Sequence, residues 1–218
     1  MSSISIVVPI FNAAATLDDA LRSIHNEISH SPNTDWEIIA IDDGSTDNSL
    51  EMLNRWLTKL PLIIESTLHS GGPAIPRNLG IERATKEYIF FLDSDDILIP
   101  NGLSRALDFT TKNNSDLVVC KLKSLDGRGT PRGMHKGNQE SVTLANSRIY
   151  WSLNPMKIIR RSLVMDNELR FATNLGRDED QPFVFAAMLQ AKKISIFSSP
   201  PVVGVRYVSS GTNLTLRP

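Results

Sequence analysis

The stretch EYIFFLDSDD, residues 87–96, joins an apolar segment directly to four polar residues. Its first part, Tyr88–Leu92, has the aromatic and branched apolar residues that are typical of a strand buried on both faces. The polar residues Asp93-Ser94-Asp95-Asp96 follow at once, so they would lie at the carboxyl end of that strand. Open parallel sheets bind their ligands beyond this end. The stretch therefore predicts an α/β fold with a binding site at one edge of its sheet.

The alternation of buried strands and helices continues on both sides of this stretch. Further strands are predicted at Ser5–Ile10, Trp36–Ile41, Leu62–Ser66, Leu117–Leu122, Ile194–Phe197 and Val202–Val208. Helices are predicted to begin near Thr16 and after Asp47, and to span Pro73–Ala84, Asn101–Asn113 and Glu179–Ala191. This order predicts right-handed crossovers and a mostly parallel central sheet with helices on both faces. We expect a single domain over residues 1–218, whose first half, about 1–123, is a Rossmann-like nucleotide-binding unit.

Composition and charge exclude several classes of protein. The 218 residues are 41% hydrophobic and 22% charged, as in ordinary globular domains. The 23 Lys and Arg against 24 Asp and Glu leave a net charge of −1, so no global field attracts nucleic acid or anionic lipid. With Cys120 as the single cysteine, an intrachain disulfide and a cysteine-based zinc site are excluded. No apolar run approaches the ~20 residues of a membrane span, and the N-terminus lacks signal-peptide features, so we expect a cytoplasmic protein.

The cluster Asp93-Ser94-Asp95-Asp96 has two interpretations. In an extended segment residues i and i+2 point to the same side, so Asp93 and Asp95 would direct two carboxylates at one ligand. Hard oxygen anions at this spacing suit Mg²⁺ or Mn²⁺ held jointly with substrate phosphates. Alternatively, the four residues only end a strand and cap the helix that starts near Pro100.

Candidate ligands also follow the first two predicted strands. Pro9, Phe11 and Asn12 end the first strand, and Asp42 and Asp43 end the second. A carboxylate there could accept a hydrogen bond from the imide N–H of a pyrimidine base. The alternative is structural, because the Gly-Ser-Thr that comes next suits a turn and a helix cap.

Two helix starts carry groups that suit phosphate binding and proton transfer. Gly71-Gly72-Pro73 precedes a helix that contains Arg77, which could bring backbone N–H groups and a guanidinium to phosphates. A turn with a surface arginine is the alternative. Asp178-Glu179-Asp180 precedes an apolar helix, where carboxylates favour the helix dipole. Alternatively, one of these carboxylates is a general base that deprotonates an acceptor hydroxyl.

Four motifs occur in one order along the chain, namely VVPIFN, EIIAIDDGSTDNS, GGPAIPRNLGIERATKEYIFFLDSDD and RDEDQPF. In this order and spacing they resemble the family 2 glycosyltransferases of GT-A fold over nearly the whole chain. The later segments KIIRRSLVMDNELRF and VRYVSSGTNLT resemble bacterial enzymes that decorate cell-wall polymers, among them teichoic acid glycosyltransferases. The resemblance implies an inverting enzyme that uses a UDP-sugar, UDP-GlcNAc by analogy, with Mn²⁺ or Mg²⁺.

The resemblance also implies a role for each motif. Residues that bind the nucleotide sugar would be Pro9, Phe11, Asn12, Asp42, Asp43, His69, Arg77, Asp93 and Ser94. Asp95 would ligate the metal together with Asp93, and Asp180 would be the general base. Glu179 and Arg206 would orient the acceptor, within an acceptor-binding half at about residues 124–218.

Two positions depart from the family pattern. His69-Ser70 stands where relatives often have Asn before the glycine pair. No histidine follows His135 to complete a metal shell, which leaves Arg206 or diphosphate and water oxygens for that place.

The junction of the two halves has a local excess of positive charge. The cations Lys121, Lys123, Arg128, Arg132, Lys136 and Arg148 accompany only two acids, Asp126 and Glu140. We therefore expect a polyanionic or glycan acceptor, and a solvated basic loop is the alternative.

Several other functions fit the same residues. The acceptor could belong to a capsular polysaccharide, an exopolysaccharide or a lipid-linked oligosaccharide. Outside this class, the alternatives are a nucleotidyltransferase that makes sugar nucleotides and a non-catalytic module that binds them. We also expect the chain to be the catalytic part of a longer protein, whose C-terminal region would recognise the polymer or oligomerise. Peripheral association with the inner face of the cell membrane is compatible with this expectation.

Overall fold

The computed structural model describes residues 2–127, 133–175 and 178–206. The strands are β1 (Ser3–Ile10), β2 (Asp35–Asp42), β3 (Leu62–Ser66), β4 (Tyr88–Phe91), β5 (Ile97–Leu98), β6 (Leu117–Cys120), β7 (Leu122–Ser124), β8 (Gln139–Val142), β9 (Lys157–Arg160), β10 (Ile194–Phe197) and β11 (Val203–Val205). The helices are α1 (Leu17–Ser29), α2 (Ser49–Trp56), α3 (Ala74–Arg83), α4 (Gly102–Lys112), α5 (Arg161–Asp166) and α6 (Asp180–Gln190), with a 3₁₀ helix at Ile149–Trp151. None of the helices in the described ranges has the length and apolarity needed to cross a membrane.

The strands form one large sheet and one small sheet. The large sheet has the order β3-β2-β1-β4-β9-β6-β10-β8, and the small one has the order β5-β11-β7. In the large sheet the pairs β3–β2, β2–β1, β1–β4 and β6–β10 are parallel. By contrast, β9 runs antiparallel between β4 and β6, and β8 runs antiparallel to β10. The predicted α/β architecture with a mostly parallel central sheet is confirmed.

Helices cover both faces of the large sheet, which explains why its central strands are apolar throughout. Alternate residues of β1 belong to two different cores, with Ile6 and Val8 in one and Val7 in the other. The first core lies under α1, α2 and α4, and the second under α3, α5 and α6. In α1 the buried residues Leu17, Ala20, Leu21 and Ile24 follow the helical period, as predicted.

Two predicted strands differ from the observed ones. The segment Leu117–Leu122 is divided at Lys121, because the chain passes there from the large sheet to the small sheet. The backbone of Lys121 bonds to a neighbouring segment on each side of this crossing. Its N–H donates to the carbonyl of Phe197 at the end of β10, and its carbonyl accepts from the N–H of Val202, just before β11. The strand predicted at residues 202–208 is observed as β11, and residues 207 and 208 lie outside the described ranges.

The packing of α3 against β1 depends on Gly80. A Cβ at this position would overlap Cγ1 of Val7. Replacing glycine by alanine inside a helix normally stabilises it by about 1 kcal/mol. Here we expect Gly80→Ala to lower the free energy of unfolding by about 1–3 kcal/mol, measured by urea denaturation, because the core must be overpacked.

Gly72→Ala is the matched control, since a Cβ there would meet no atom within 4 Å. Its free energy of unfolding should stay within about 0.5 kcal/mol of the parent. A Gly80→Ala variant that equals or exceeds the parent in stability would contradict this packing.

Candidate active site

The sheet brings the predicted site residues to one edge. Phe11 and Asn12 follow β1, Asp43 follows β2, and Asp93 lies two residues beyond β4. Because these strands are parallel neighbours, their carboxyl ends meet at the same edge. The antiparallel β9 begins at this edge with Lys157, which pairs with Val119 near the end of β6.

Arg77 of α3 is buried between two carboxylates. Its Nη2 donates to Asp93 Oδ1 over 2.7 Å, and its Nη1 donates to Glu179 Oε1 over 2.8 Å. The guanidinium carbon lies 5.3 Å from the centre of the Phe171 ring. Burial acts to lower the pKa of Arg77, but the charges of Asp93 and Glu179 outweigh it, so the pKa is raised and the group stays ionised. This contact joins the loop after β4 to the start of α6, which is far away in the sequence.

Asp180 is the first residue of α6, and Glu179 immediately precedes it. Glu179 is only 8% exposed because its carboxylate turns inward to Arg77. Burial raises the pKa of Asp180 to about 6, Arg77 opposes this change, and the negative charges of Glu179 and Asp93 add to it. A carboxylate that titrates this close to neutrality suits a general base.

Three carboxylates form an acidic cluster after β4. One oxygen from each of Asp93, Asp95 and Asp96 lies within 4.8 Å of the others. Asp96 is fully buried, and its Oδ1 accepts the N–H of Arg206 over 2.9 Å, which anchors the cluster to the end of β11. Asp93 and Asp95 are half-buried. Hard oxygens at this separation fit Mg²⁺ or Mn²⁺ and fit Zn²⁺ less well, so the residues are compatible with the expected cofactor.

An aromatic pair stands at the other end of the edge. The rings of Phe11 and His69 stack with centroids 3.8 Å apart and planes inclined by 12°. Nδ1 of His69 lies 2.9 Å from Asp43 Oδ2, and the N–H of Ser70 donates to Asp43 Oδ1 over 3.0 Å. Asp43 is therefore buried against the 69–70 loop. The exposed face of this pair offers a flat apolar surface that suits a nucleobase.

Asn12 and Asp42 stabilise the backbone next to this pair. Asn12 has a positive φ of 49°, and its Oδ1 accepts the N–H of Thr46 over 2.8 Å. Oδ2 of Asp42 accepts the N–H of Ser45 over 3.3 Å. Its Oδ1 is buried, and no residue in the described part of the chain donates to it. These contacts are structural, and nucleotide binding by Asn12 and Asp42 stays a prediction.

The remaining predicted residues lie around the same edge. Pro9 is buried within β1, and Ser94 is half-buried in the turn beside Asp95. The guanidinium of Arg206 pairs with Asp19 of α1 over 2.9 Å, and its acceptor-orienting role stays a prediction. Arg128 and Arg132 of the basic stretch lie outside the described residues.

Lys157 is a buried lysine to which the sequence analysis assigned no role. It is fully buried at the start of β9, and its Nζ donates to the carbonyl of Asn154. Burial lowers the pKa of Lys157 to about 7, while the charge of Asp180 acts to raise it. The segment KIIR resembles an ordinary strand end, so only the three-dimensional structure reveals this cation near Asp180.

A cavity of about 260 Å³ opens beside the bridge formed by Arg77. Ser70–Ile75 and Thr173–Leu175 form its wall, together with Glu179. The glycine pair that was predicted to approach phosphates lies in this wall. The cavity is thus lined both by the start of α3 and by Glu179, the residue that precedes the candidate base.

Comparison with known proteins finds glycosyltransferases that are similar to this chain over most of its length. The chain is 42% identical over 195 residues to a poly(ribitol-phosphate) beta-glucosyltransferase of Bacillus spizizenii, which covers 88% of this chain and 30% of the relative. It is 37% identical over 199 residues to the poly(ribitol-phosphate) beta-N-acetylglucosaminyltransferase TarS of Staphylococcus aureus, covering 91% of this chain and 34% of TarS. The chain therefore spans about a third of the length of these curated relatives.

Solved structures show the same fold. The crystal structure of S. aureus TarS 1–349 in complex with UDP-GlcNAc superposes with a TM-score of 0.93 and 33% identity, over 100% of this chain and 62% of that one. The architecture is thus the GT-A fold. Residues 5–174 match the family described as Glycosyl transferase family 2, and the chain belongs to that family.

Proposed function

We propose that this chain transfers a sugar from a UDP-sugar to a hydroxyl of a phosphate-bearing cell-wall polymer, with inversion at the anomeric carbon. GlcNAc is the proposed sugar and a teichoic acid is the proposed polymer. Both relatives act on poly(ribitol phosphate), which supports the choice of polymer. TarS and its complex with UDP-GlcNAc support GlcNAc, whereas the B. spizizenii relative is a glucosyltransferase. Residues 1–218 would act as one cytoplasmic catalytic domain, with the donor bound by about 1–123 and the acceptor by about 124–218.

One observation carries this proposal, namely the position of Asp180 relative to the acidic cluster. Arg77 forms an ion pair with Asp93 on one side and with Glu179 on the other. A donor bound at the acidic cluster and an acceptor bound at Asp180 would therefore lie next to each other, on either side of this guanidinium. Inverting transfer needs the departing diphosphate and the base on opposite sides of the anomeric carbon. A metal-binding group and a single base held at a fixed separation meet that requirement.

The chain's own residues account for the transfer of the proton. Asp180 accepts the proton of the acceptor hydroxyl while the hydroxyl oxygen forms a bond to the anomeric carbon. The bond from that carbon to the diphosphate oxygen breaks, and UDP leaves with the electron pair. The carboxylate of Glu179 is engaged by Arg77, so Asp180 alone of the pair is the proposed base. One base suffices, whereas an ordinary glycosidase needs two carboxyl groups.

The donor would lie along the edge of the sheet. Phe11, His69 and Asp43 would contact the uracil, and the N–H groups at Gly71-Gly72 would face the diphosphate. Asp93 and Asp95 would hold Mn²⁺ or Mg²⁺, which when bound neutralises negative charge on the diphosphate as a Lewis acid. The carboxylate cluster in the structure supports this assignment.

Replacing the proposed base should stop catalysis without loss of donor binding. We expect Asp180→Asn to lower the rate of sugar transfer by about 10²–10⁴-fold, because general-base catalysis contributes about this factor. UDP affinity should remain within about twofold, since Asp180 contacts the acceptor and not the nucleotide. Transfer is measured as UDP release that depends on the acceptor, and UDP affinity by calorimetry.

Asp178→Asn is the matched control for this change. Asp178 is an exposed carboxylate two residues before Asp180, and it accepts a hydrogen bond from Gln181. This variant should keep nearly full activity. Normal transfer by Asp180→Asn, or an equal loss in Asp178→Asn, would move the base elsewhere.

Removing the metal site should abolish binding of the donor diphosphate. We expect UDP affinity to depend on added Mn²⁺ or Mg²⁺ in the parent, and this dependence to vanish in Asp95→Ala. EDTA should inactivate the parent reversibly, with recovery when the metal is restored in excess. If turnover continues unchanged in EDTA, the acidic cluster is structural and the metal assignment is wrong.

A further inference from the structure

A second cavity, of about 450 Å³, opens in the later half of the chain. Its wall includes the polar side chains of Lys136, Gln139, Asn146, Ser147 and Arg148. The described lining thus holds two cations and no carboxylate. This cavity shares no lining residue with the one beside Glu179.

Part of this cavity's wall lies near the sheet edge that carries the acidic cluster. Ile196 forms part of its wall and pairs with Val119 of β6, near the carboxyl ends of two parallel strands. Gln139 begins β8 opposite Ile196. In the order β4-β9-β6-β10, three strand spacings separate β10 from β4. At about 4.8 Å a spacing, Ile196 in the wall of the cavity lies about 14–15 Å across the sheet from β4.

The two cations of the cavity form no ion pair with a described residue. Lys136 and Arg148 are exposed, and neither is found in an ion pair there. Arg22, Arg55 and Arg83 are exposed and each pair with a carboxylate. Arg105, like Arg148, is not ion-paired with a described residue, but it does not line this cavity. Uncompensated cations in a polar concavity attract anions, and a guanidinium matches the oxygens of a phosphate.

Positive charge extends inward from the rim of this cavity. The neighbouring His135 is half-buried, and burial together with the charges of Lys121 and Lys157 lowers its pKa to about 4. His135 is therefore neutral near pH 7, with Nδ1 3.3 Å from Ser198 Oγ. Lys157 also interacts electrostatically with Asp180, and its own burial lowers its pKa to about 7, so it carries part of a positive charge near neutral pH.

We propose that this cavity binds a phosphate group of the acceptor polymer at a distance from the hydroxyl that reacts. The inference rests on the proposed function, because it takes the acceptor to be a phosphate-bearing chain. A single phosphate unit cannot reach both the cavity and the end of β4, whereas a chain of several repeats can. The site therefore favours long polyanionic acceptors over short ones, and it leaves the diphosphate of the donor to the acidic cluster.

The test uses polyol phosphate oligomers that range from a single repeat to a long chain. The dissociation constant of each oligomer is measured by titration, and its KM is measured by acceptor-dependent UDP release. In Lys136→Gln/Arg148→Gln both quantities should rise about tenfold or more for long oligomers, because two charge-assisted contacts to phosphate are lost. For the single repeat both should stay unchanged, as should the affinity for UDP.

Arg105→Gln/Lys112→Gln is the matched control. Both residues are exposed on α4, neither is ion-paired with a described residue, and the double change removes the same charge. Its dissociation constants for long oligomers should stay within about twofold of the parent. An equal loss in this control would show that the attraction is general to the surface.

The outcomes separate this inference from the proposed function. Unchanged affinity for long oligomers in Lys136→Gln/Arg148→Gln, or an equal loss for the single repeat, overturns the inference even if transfer continues. Tight binding of long oligomers that depends on the two cations supports it. If such binding occurs but no UDP-sugar yields transfer, the proposed function fails and the binding site stands.

Discussion

The guanidinium of Arg77 is held inside the protein between Asp93 and Glu179, and the arrangement of the candidate site depends on this contact. A buried charge loses its hydration, and this loss destabilises the fold unless an opposite charge lies close by in good geometry. The position of each of these three groups therefore depends on the other two. Because Asp93 belongs to the loop after β4 and Glu179 precedes α6, the contact fixes the acidic cluster relative to the proposed base. A single side chain of α3 thereby connects the two halves of the domain.

The same contact sets the charge around Asp180. Burial raises the pKa of Asp180, and the guanidinium of Arg77 acts to lower it. The negative charges of Glu179 and Asp93 raise it further. The carboxylate of Glu179 is engaged by Arg77, and Asp180, whose pKa is raised to about 6, is the group of the pair that can exchange a proton near neutral pH. Lys157 adds a buried cation close by, with a pKa lowered to about 7 by its own burial. Proton transfer would thus occur among charges that the fold holds in place.

The sequence predicted those parts of the structure that depend on local pattern. Apolar strands that end in Asp43 and Asp93 predicted the edge of the sheet, because parallel strands place their carboxyl ends together. The pairing of Arg77 with Glu179 could not be predicted, since periodicity does not say which partner a buried ion finds. Likewise, the insertion of β9 between β4 and β6 depends on tertiary packing, and it alone brings Lys157 near Asp180. The division of the predicted strand at Lys121 was not predicted, because the residues of β6 and the start of β7 form one mainly apolar segment in the sequence.

The central claim is that Asp180 is a base whose pKa is set by burial and by its charged neighbours. It is tested most directly by following the side-chain carboxyl carbon of Asp180 by NMR as a function of pH, without donor or metal. The account expects titration at about 6 in the parent. In Glu179→Gln the pKa should fall, because the negative charge that raises it is removed. Titration of Asp180 near the ordinary value of 3.8, or an unchanged pKa in Glu179→Gln, would contradict the account.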